Sequence, residues 1–178
     1  ITWITEPDHI QHGRGPGAPE SMAAIRNDDR QLGLVLEKLD ALGIRDKTNI
    51  LVVSDHGFAQ TVFNVNVGRA LIDAGLMPAA DSDDVVIASS GQAVALHVKG
   101  RDPARIAAVA GFLQRQPWCG VVLTAAKRGG APHEGTVAGT FALEYVHLGG
   151  HERRPDIVFT FPGTSARHKH VGRGVEYA

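Results

Sequence analysis

The chain is poor in the features that would define a stapled, membrane-spanning or strongly charged protein. It has one cysteine, Cys119, in 178 residues, so no internal disulfide can form and a stapled secreted scaffold is excluded. Cys119 itself reads as a small hydrophobe beside a strand. No apolar run approaches the ~18 to 20 residues that cross a bilayer. The first residues also lack the basic, apolar and small-residue order of a signal peptide. The expectation is a soluble chain, with the cytoplasm slightly favoured and no membrane partner. Charge of one sign is missing as well: the formal net charge is −1, which removes any global pull toward nucleic acid or anionic lipid. Any recognition of an anionic ligand must therefore be local. The short basic runs at Arg153-Arg154 and from Arg167 to Arg173 have no aromatic platform between them and read as solvated surface, so no nucleic-acid partner is expected.

With 43% hydrophobic and 21% charged residues, there is enough apolar material to bury one core. Internal repeats and low-complexity tracts are absent. The sequence opens directly on the strand-like run Ile1-Thr2-Trp3-Ile4-Thr5, with no initiator methionine, and stops at Gly174-Val175-Glu176-Tyr177-Ala178. The expectation is a fragment of a longer polypeptide.

The β-branched and aromatic run from Ile1 to Thr5 ends at Glu6-Pro7, where proline stops pairing, and so a strand is predicted to deliver Asp8 at its carboxyl end. His9 to Gly17 holds three glycines and a proline and reads as a loop. From Pro19 to Leu42, apolar residues recur at steps of three and four, which predicts an amphipathic helix packed on a sheet. Gly43 is placed as its left-handed cap, with Ile44 after it. Thr48 to Val53 is a near-continuous apolar strand of the kind buried on both faces, and it ends at Ser54-Asp55-His56-Gly57. Two strands joined by such a helix imply a right-handed crossover and a parallel pair.

Further on, helices are predicted over Val65 to Ala74, with Gly75 as stop, and over Asp102 to Gln114, with Asp102 as cap and Pro103 at the first position. Strands are predicted at Asp84 to Ala88, Ala93 to Lys99, Gly120 to Thr124, Phe141 to Leu148 and Ile157 to Phe161. Residues 1–80 form an α/β core in this reading. Residues 81–150 form an inserted or peripheral α+β subdomain, and 151–178 return to the core sheet.

Both early strands end in a carboxylate and an imidazole: Asp8 with His12 four residues on, and Asp55 with His56 adjacent. Carboxyl ends of parallel strands lie along one edge, where ligands bind, so the two pairs should meet. Carboxylate oxygen with imidazole nitrogen suits Zn²⁺, with Mn²⁺ or Fe as relatives. Two such ions about 4 Å apart can clamp a phosphate. A loop carrying Asp-x-x-x-His lets both side chains turn onto one ion. Gly57 lets the backbone turn sharply beyond the other pair.

The string Trp3-Ile4-Thr5-Glu6-Pro7-Asp8-His9-Ile10-Gln11-His12-Gly13 with Gly15-Pro16-Gly17, then the long helix, then Ile50 to Phe58, resembles the middle of an alkaline phosphatase superfamily enzyme. The branch it resembles is the type I phosphodiesterase/nucleotide pyrophosphatase family. Arg154-Pro155-Asp156-Ile157-Val158-Phe159 resembles a late strand of the same family. The resemblance implies an alkaline phosphatase-like α/β sandwich with a largely parallel central sheet, incomplete in this chain. It also implies two zinc ions and a small-molecule phosphate ester, such as a nucleotide, as substrate.

By the same resemblance, Asp8 and His12 hold one zinc with a later histidine, while Asp55 and His56 serve the other zinc or the bridge between them. The nucleophile and a first-strand aspartate should precede Ile1, which leaves no catalytic nucleophile in this chain and an inactive fragment. The late histidine of the family sits in a Gly-Thr-His-Gly-like turn that does not occur here. His151, His168 and His170 are the nearest substitutes, the last two on what reads as a solvated loop. His97 reads as a partly buried sheet residue, His133 and His147 carry no motif, and His9 faces away from the site. A phosphomutase or sulfatase-like relative, or a non-catalytic binding domain, is the alternative.

Overall fold

The computed structural model describes residues 1–163 and 175–177. Its contacts divide them into two compact units, one of residues 1–60 and the other of residues 61–163 and 175–177. His168, His170 and the run from Arg167 to Arg173 lie outside the described residues.

The first unit is built on two helices. Helix α1 spans Asp8–Arg14, where a loop was expected. Glu6 supports its first turn by accepting the Ile10 N–H at 3.1 Å, and Asp8 in the first turn and Arg14 in the last place negative and positive charge where the helix dipole favours them. Gly15, at φ 86°, ends the helix. Helix α2, Pro19–Ala41, starts with proline at its first turn, where the missing N–H costs nothing. Ser21 is fully buried, and its hydroxyl is satisfied by donating to the Gly15 carbonyl at 2.8 Å. The helix ends as predicted: Gly43 sits at φ 64°, its N–H bonds the Asp40 carbonyl, and the Ile44 N–H bonds Leu39. That pair of bonds is a Schellman cap.

The two apolar segments around these helices do not form the predicted parallel pair. Residues 1–5 and 48–53 belong to no strand, and Leu51, Val52 and Val53 are each more than three-quarters exposed. The apolar stripe of α2 is only partly covered, with Met22, Ile25, Val35 and Leu42 exposed and Leu32, Leu36 and Leu39 half-buried. Parallel strands are found with both faces covered, and Leu51, Val52 and Val53 are left uncovered.

The second unit holds the core. Strand β1, Thr61–Phe63, pairs in parallel with a strand at Val175–Tyr177. Helix α3, Val67–Asp73, is capped by Asn66, whose Oδ1 accepts the Arg69 N–H at 2.9 Å. Strands β2, Val85–Ser90, and β3, Ala93–Val98, form an antiparallel hairpin. Helix α4, Pro103–Leu113, begins with Asp102 accepting the Ala104 N–H at 3.0 Å. Strands β4, Val122–Thr124, β5, Phe141–Ala142, and β6, Ile157–Thr160, complete a five-stranded sheet in the order β2-β3-β6-β4-β5. The strand at Val175–Tyr177 is β7.

Only the β4–β5 pairing in this sheet is parallel, while β2–β3, β3–β6 and β4–β6 are antiparallel. The largely parallel central sheet that the family resemblance implies is therefore not what these residues form, and the parallel pair expected of the two early segments is not formed either. The predicted strand from Phe141 also stops early. After Ala142 the chain enters a tight helical turn, Leu143–Val146, that tucks Leu143 inside.

Period-two alternation sorts the sheet's side chains between two clusters. Val94, Leu96, Val122, Ile157 and Phe159 join Leu71, Val109 and Leu113 from the helices in the main core, whereas Leu123, Val158 and Leu143 form a smaller cluster. β6 thus contributes buried residues to both. Each large core side chain contributes about 1.5 to 3 kcal/mol by burial.

Candidate metal centre

Four side chains of the first unit converge. Asp8 and His12 lie one helical turn apart on α1, and so the helix does what a loop was expected to do: it stacks positions i and i+4 on one face. Their closest approach, Asp8 Oδ1 to His12 Nε2, is 3.6 Å. The segment Ser54 to Phe58 brings the second pair. His56 Nε2 lies 3.5 Å from Asp8 Oδ1 and 4.0 Å from Asp55 Oδ2. Asp8 is the hub, facing both imidazoles with one oxygen.

The orientation of His56 is determined by its other nitrogen, Nδ1, 3.0 Å from the Gly57 carbonyl. A carbonyl only accepts, so Nδ1 carries a proton and Nε2 is the nitrogen that faces the carboxylates. Metal-binding histidines are commonly oriented this way, by donating the far N–H to a carbonyl. The Gly57 bond, then Asp55 and last Asp8, raise the His56 pKa above the ordinary histidine value, against an opposing effect of burial. The segment is braced by the Ser54 hydroxyl donating to the His56 carbonyl at 2.6 Å.

Phe58 is a neighbour of both imidazoles to which the sequence alone assigns no role. Its ring meets His12 edge-on at 4.9 Å between centroids and His56 at 5.3 Å, so one aromatic side chain restrains both imidazoles. The signal available was an aromatic residue directly after Asp55-His56-Gly57. Gly57 acts differently from the expectation. A Cβ there would meet nothing within 4 Å, and no left-handed φ requires glycine; its contribution is its carbonyl.

The donor chemistry fits a zinc-type ion. Two ligands bonded at about 2.0 to 2.1 Å to a tetrahedral ion stand about 3.3 to 3.5 Å apart. The two separations from Asp8, 3.6 and 3.5 Å, lie at or just beyond that spacing, the Asp55–His56 separation of 4.0 Å is wider than it, and all three are too long for hydrogen bonds. Among the described residues, however, no group of three or more His, Cys, Asp or Glu side chains is arranged to hold an ion. The fit is that of ligand pairs, not of a closed ligand set.

The remaining histidines have other surroundings. His151 is exposed and its Nδ1 accepts the Arg153 N–H at 3.0 Å. His97 is a half-buried residue of β3, as its sequence setting suggests. His133 packs against Phe141 and Tyr145, His147 occupies a left-handed position at φ 61°, and His9 is exposed.

Residues 1–161 match the family described as type I phosphodiesterase / nucleotide pyrophosphatase, and the chain belongs to that family. Among curated proteins, it is similar to ectonucleotide pyrophosphatase/phosphodiesterase family member 1 of Mus musculus, 34% identical over 58 residues, 33% of this chain and 6% of that protein. It is also similar to family member 7 of Homo sapiens, 36% identical over 55 residues, 31% of this chain and 12% of that protein. Venom phosphodiesterase of Macrovipera lebetinus is 34% identical over 62 residues, 35% of this chain and 7% of that protein. The matched stretch is thus 6% to 12% of the length of these relatives. No solved structure matches the chain. No helix among the described residues is long and apolar enough to cross a membrane, and nothing in the fold favours the cytoplasm.

Proposed function

We propose that this chain forms part of the metal cradle of a two-metal hydrolase of phosphate esters, with the alkaline phosphatase-like sandwich as the architecture of the whole protein. Asp8 and His12 hold one ion, and Asp55 and His56 serve the second or the bridge between them. Zinc suits the donors best, with manganese or iron as relatives. The observation that carries this reading is the convergence of Asp8 on the Nε2 atoms of His12 and His56 in a member of this family.

Bound there, divalent cations supply charge neutralisation at phosphoryl oxygens and a lowered pKa for an attacking hydroxyl or water. The chain's own residues supply orientation. The Gly57 carbonyl keeps the His56 proton on Nδ1, α1 holds His12 beside Asp8, and Phe58 limits the swing of both rings. The substrate class is a small phosphate ester such as a nucleotide, supported by the names of the relatives, which are phosphodiesterases and nucleotide pyrophosphatases.

No residue of the chain takes the nucleophile's role in this scheme, and the isolated chain is inactive. Zinc-loaded residues 1–178, assayed against bis(p-nitrophenyl) phosphate, should show no turnover above background; robust turnover overturns this division of labour. A phosphomutase or sulfatase-like whole protein would share the cradle and differ in the nucleophile segment. A scaffold that keeps the fold without ions would take up no stoichiometric zinc and would be indifferent to Asp55→Ala.

A further inference from the structure

The first unit carries both ligand pairs and almost no core. No residue of α1, the helix that presents Asp8 and His12, is buried. Ala18 and Ser21 are the only buried residues between positions 1 and 60. Hydrophobic packing therefore does not set where α1 stands, and directed contacts must hold it.

Both buried residues make such contacts, and both act on Gly15, where α1 ends. The Ser21 hydroxyl does not serve the start of its own helix α2, which has no side-chain cap. It donates instead to the Gly15 carbonyl at 2.8 Å. The Ala18 N–H approaches the same oxygen at 3.4 Å, which engages both of its lone pairs. The Gly15 N–H closes α1 by donating to the Gln11 carbonyl at 2.8 Å. Through its two backbone groups, Gly15 thus joins the last turn of α1 to the first turn of α2.

Only glycine suits this joint. At φ 86° and ψ 156° the backbone lies in a region that residues with a Cβ avoid. The third side of the joint comes from the segment that holds the other ligand pair. A Cβ on Gly15 would lie 2.7 Å from Gln60 Oε1, so the Gln60 amide sits directly on the Gly15 backbone. Residues 55–60 and both helices therefore meet at one position. The contact of Phe58 with His12, 4.9 Å between ring centroids, spans the joined elements, whereas its contact with His56 at 5.3 Å stays within residues 55–60.

We propose that Ser21 is a positioning residue of the metal centre: by holding the Gly15 carbonyl it fixes α1 against residues 55–60, and so sets Asp8 and His12 opposite Asp55 and His56. This role rests on the metal reading above, but the placement itself is measurable without an ion. The full chain and Ser21→Ala are compared metal-free by NMR, through the nuclear Overhauser effects from the Phe58 ring to the rings of His12 and His56. Zinc titration follows, with the denaturant midpoint as a check on the fold.

Ser21→Ala should lower the His12–Phe58 effect by about half or more, keep the His56–Phe58 effect and the midpoint, and weaken zinc binding about tenfold or more. Gln60→Ala, which leaves both buried residues in place, should shift the same effect in the same direction, and it decides the matter if Ser21→Ala does not fold. An unchanged His12–Phe58 effect, an unchanged zinc affinity in a parent chain that binds zinc, or loss of both effects with a lowered midpoint overturns the proposal. A parent chain that takes up no zinc, with the ring effects as expected, sinks the metal reading instead and upholds Ser21 as the residue that places α1.

Discussion

Asp8 has two imidazoles within 3.6 Å of a single oxygen, so it should be the most sensitive position of the centre. The pairing was legible in the sequence because a four-residue spacing brings side chains together on a helix as surely as in the loop that was expected. Phe58 was not legible, since an aromatic residue at an irregular segment shows its partners only in three dimensions. The His56 environment yields a titration prediction. Its pKa is raised, so protons compete with a metal ion at a higher pH than at an ordinary histidine, and affinity falls as pH is lowered through that raised value. Followed by NMR in the metal-free chain, His56 should titrate above the ordinary histidine range. Asp55→Asn should move it down; an unmoved or higher value would contradict the electrostatic account. Cys119 gives an independent check: burial pushes its thiol from 9.0 up to about 11. At pH 8, thiolate should be about a hundredfold scarcer than at an unshifted thiol, and alkylation should be slowed accordingly. Reaction at the rate of a free cysteine would show Cys119 to be open.

Helix ends and hairpins were readable where the signal is local. Asp102-Pro103 starts α4 and Gly43 stops α2 because capping depends on a few neighbouring residues. The segments at residues 1–5 and 48–53 were misread for the opposite reason: apolar, β-branched composition makes a strand only when a partner strand is present. Phe141 to Leu148 was misread because burial of Leu143 favours a helical turn over continued pairing. At Gly43, where φ is 64°, an alanine must adopt the left-handed region. Gly43→Ala should therefore cost about 1 to 2 kcal/mol locally, visible as faster hydrogen exchange at the Gly43 and Ile44 amides. Unchanged exchange would mean that the cap does not secure the end of α2.

Across the whole molecule, burial is uneven. Of residues 1–60 only Ala18 and Ser21 are buried, whereas the second unit holds Phe159, Leu96, Leu113 and the rest of the core. Phe159→Ala should destabilise the chain by about 3 to 5 kcal/mol in denaturant unfolding, while Val35→Ala should change it by less than about 0.5 kcal/mol. Equal effects would contradict the assignment of the core. Leu51, Val52 and Val53 form an exposed apolar run, and such patches promote association. Sedimentation should show self-association that Val52→Lys reduces; a monomer at all concentrations would show that the run is covered.

The metal cradle is tested most directly by equilibrium zinc binding to the full chain and to Asp8→Asn, His12→Ala, Asp55→Asn and His56→Ala. The account predicts saturable zinc uptake by the parent chain, with each single variant weakened by about tenfold or more and Asp8→Asn weakened most. Zinc uptake that is absent in the parent chain, or equal in all five proteins, would contradict it.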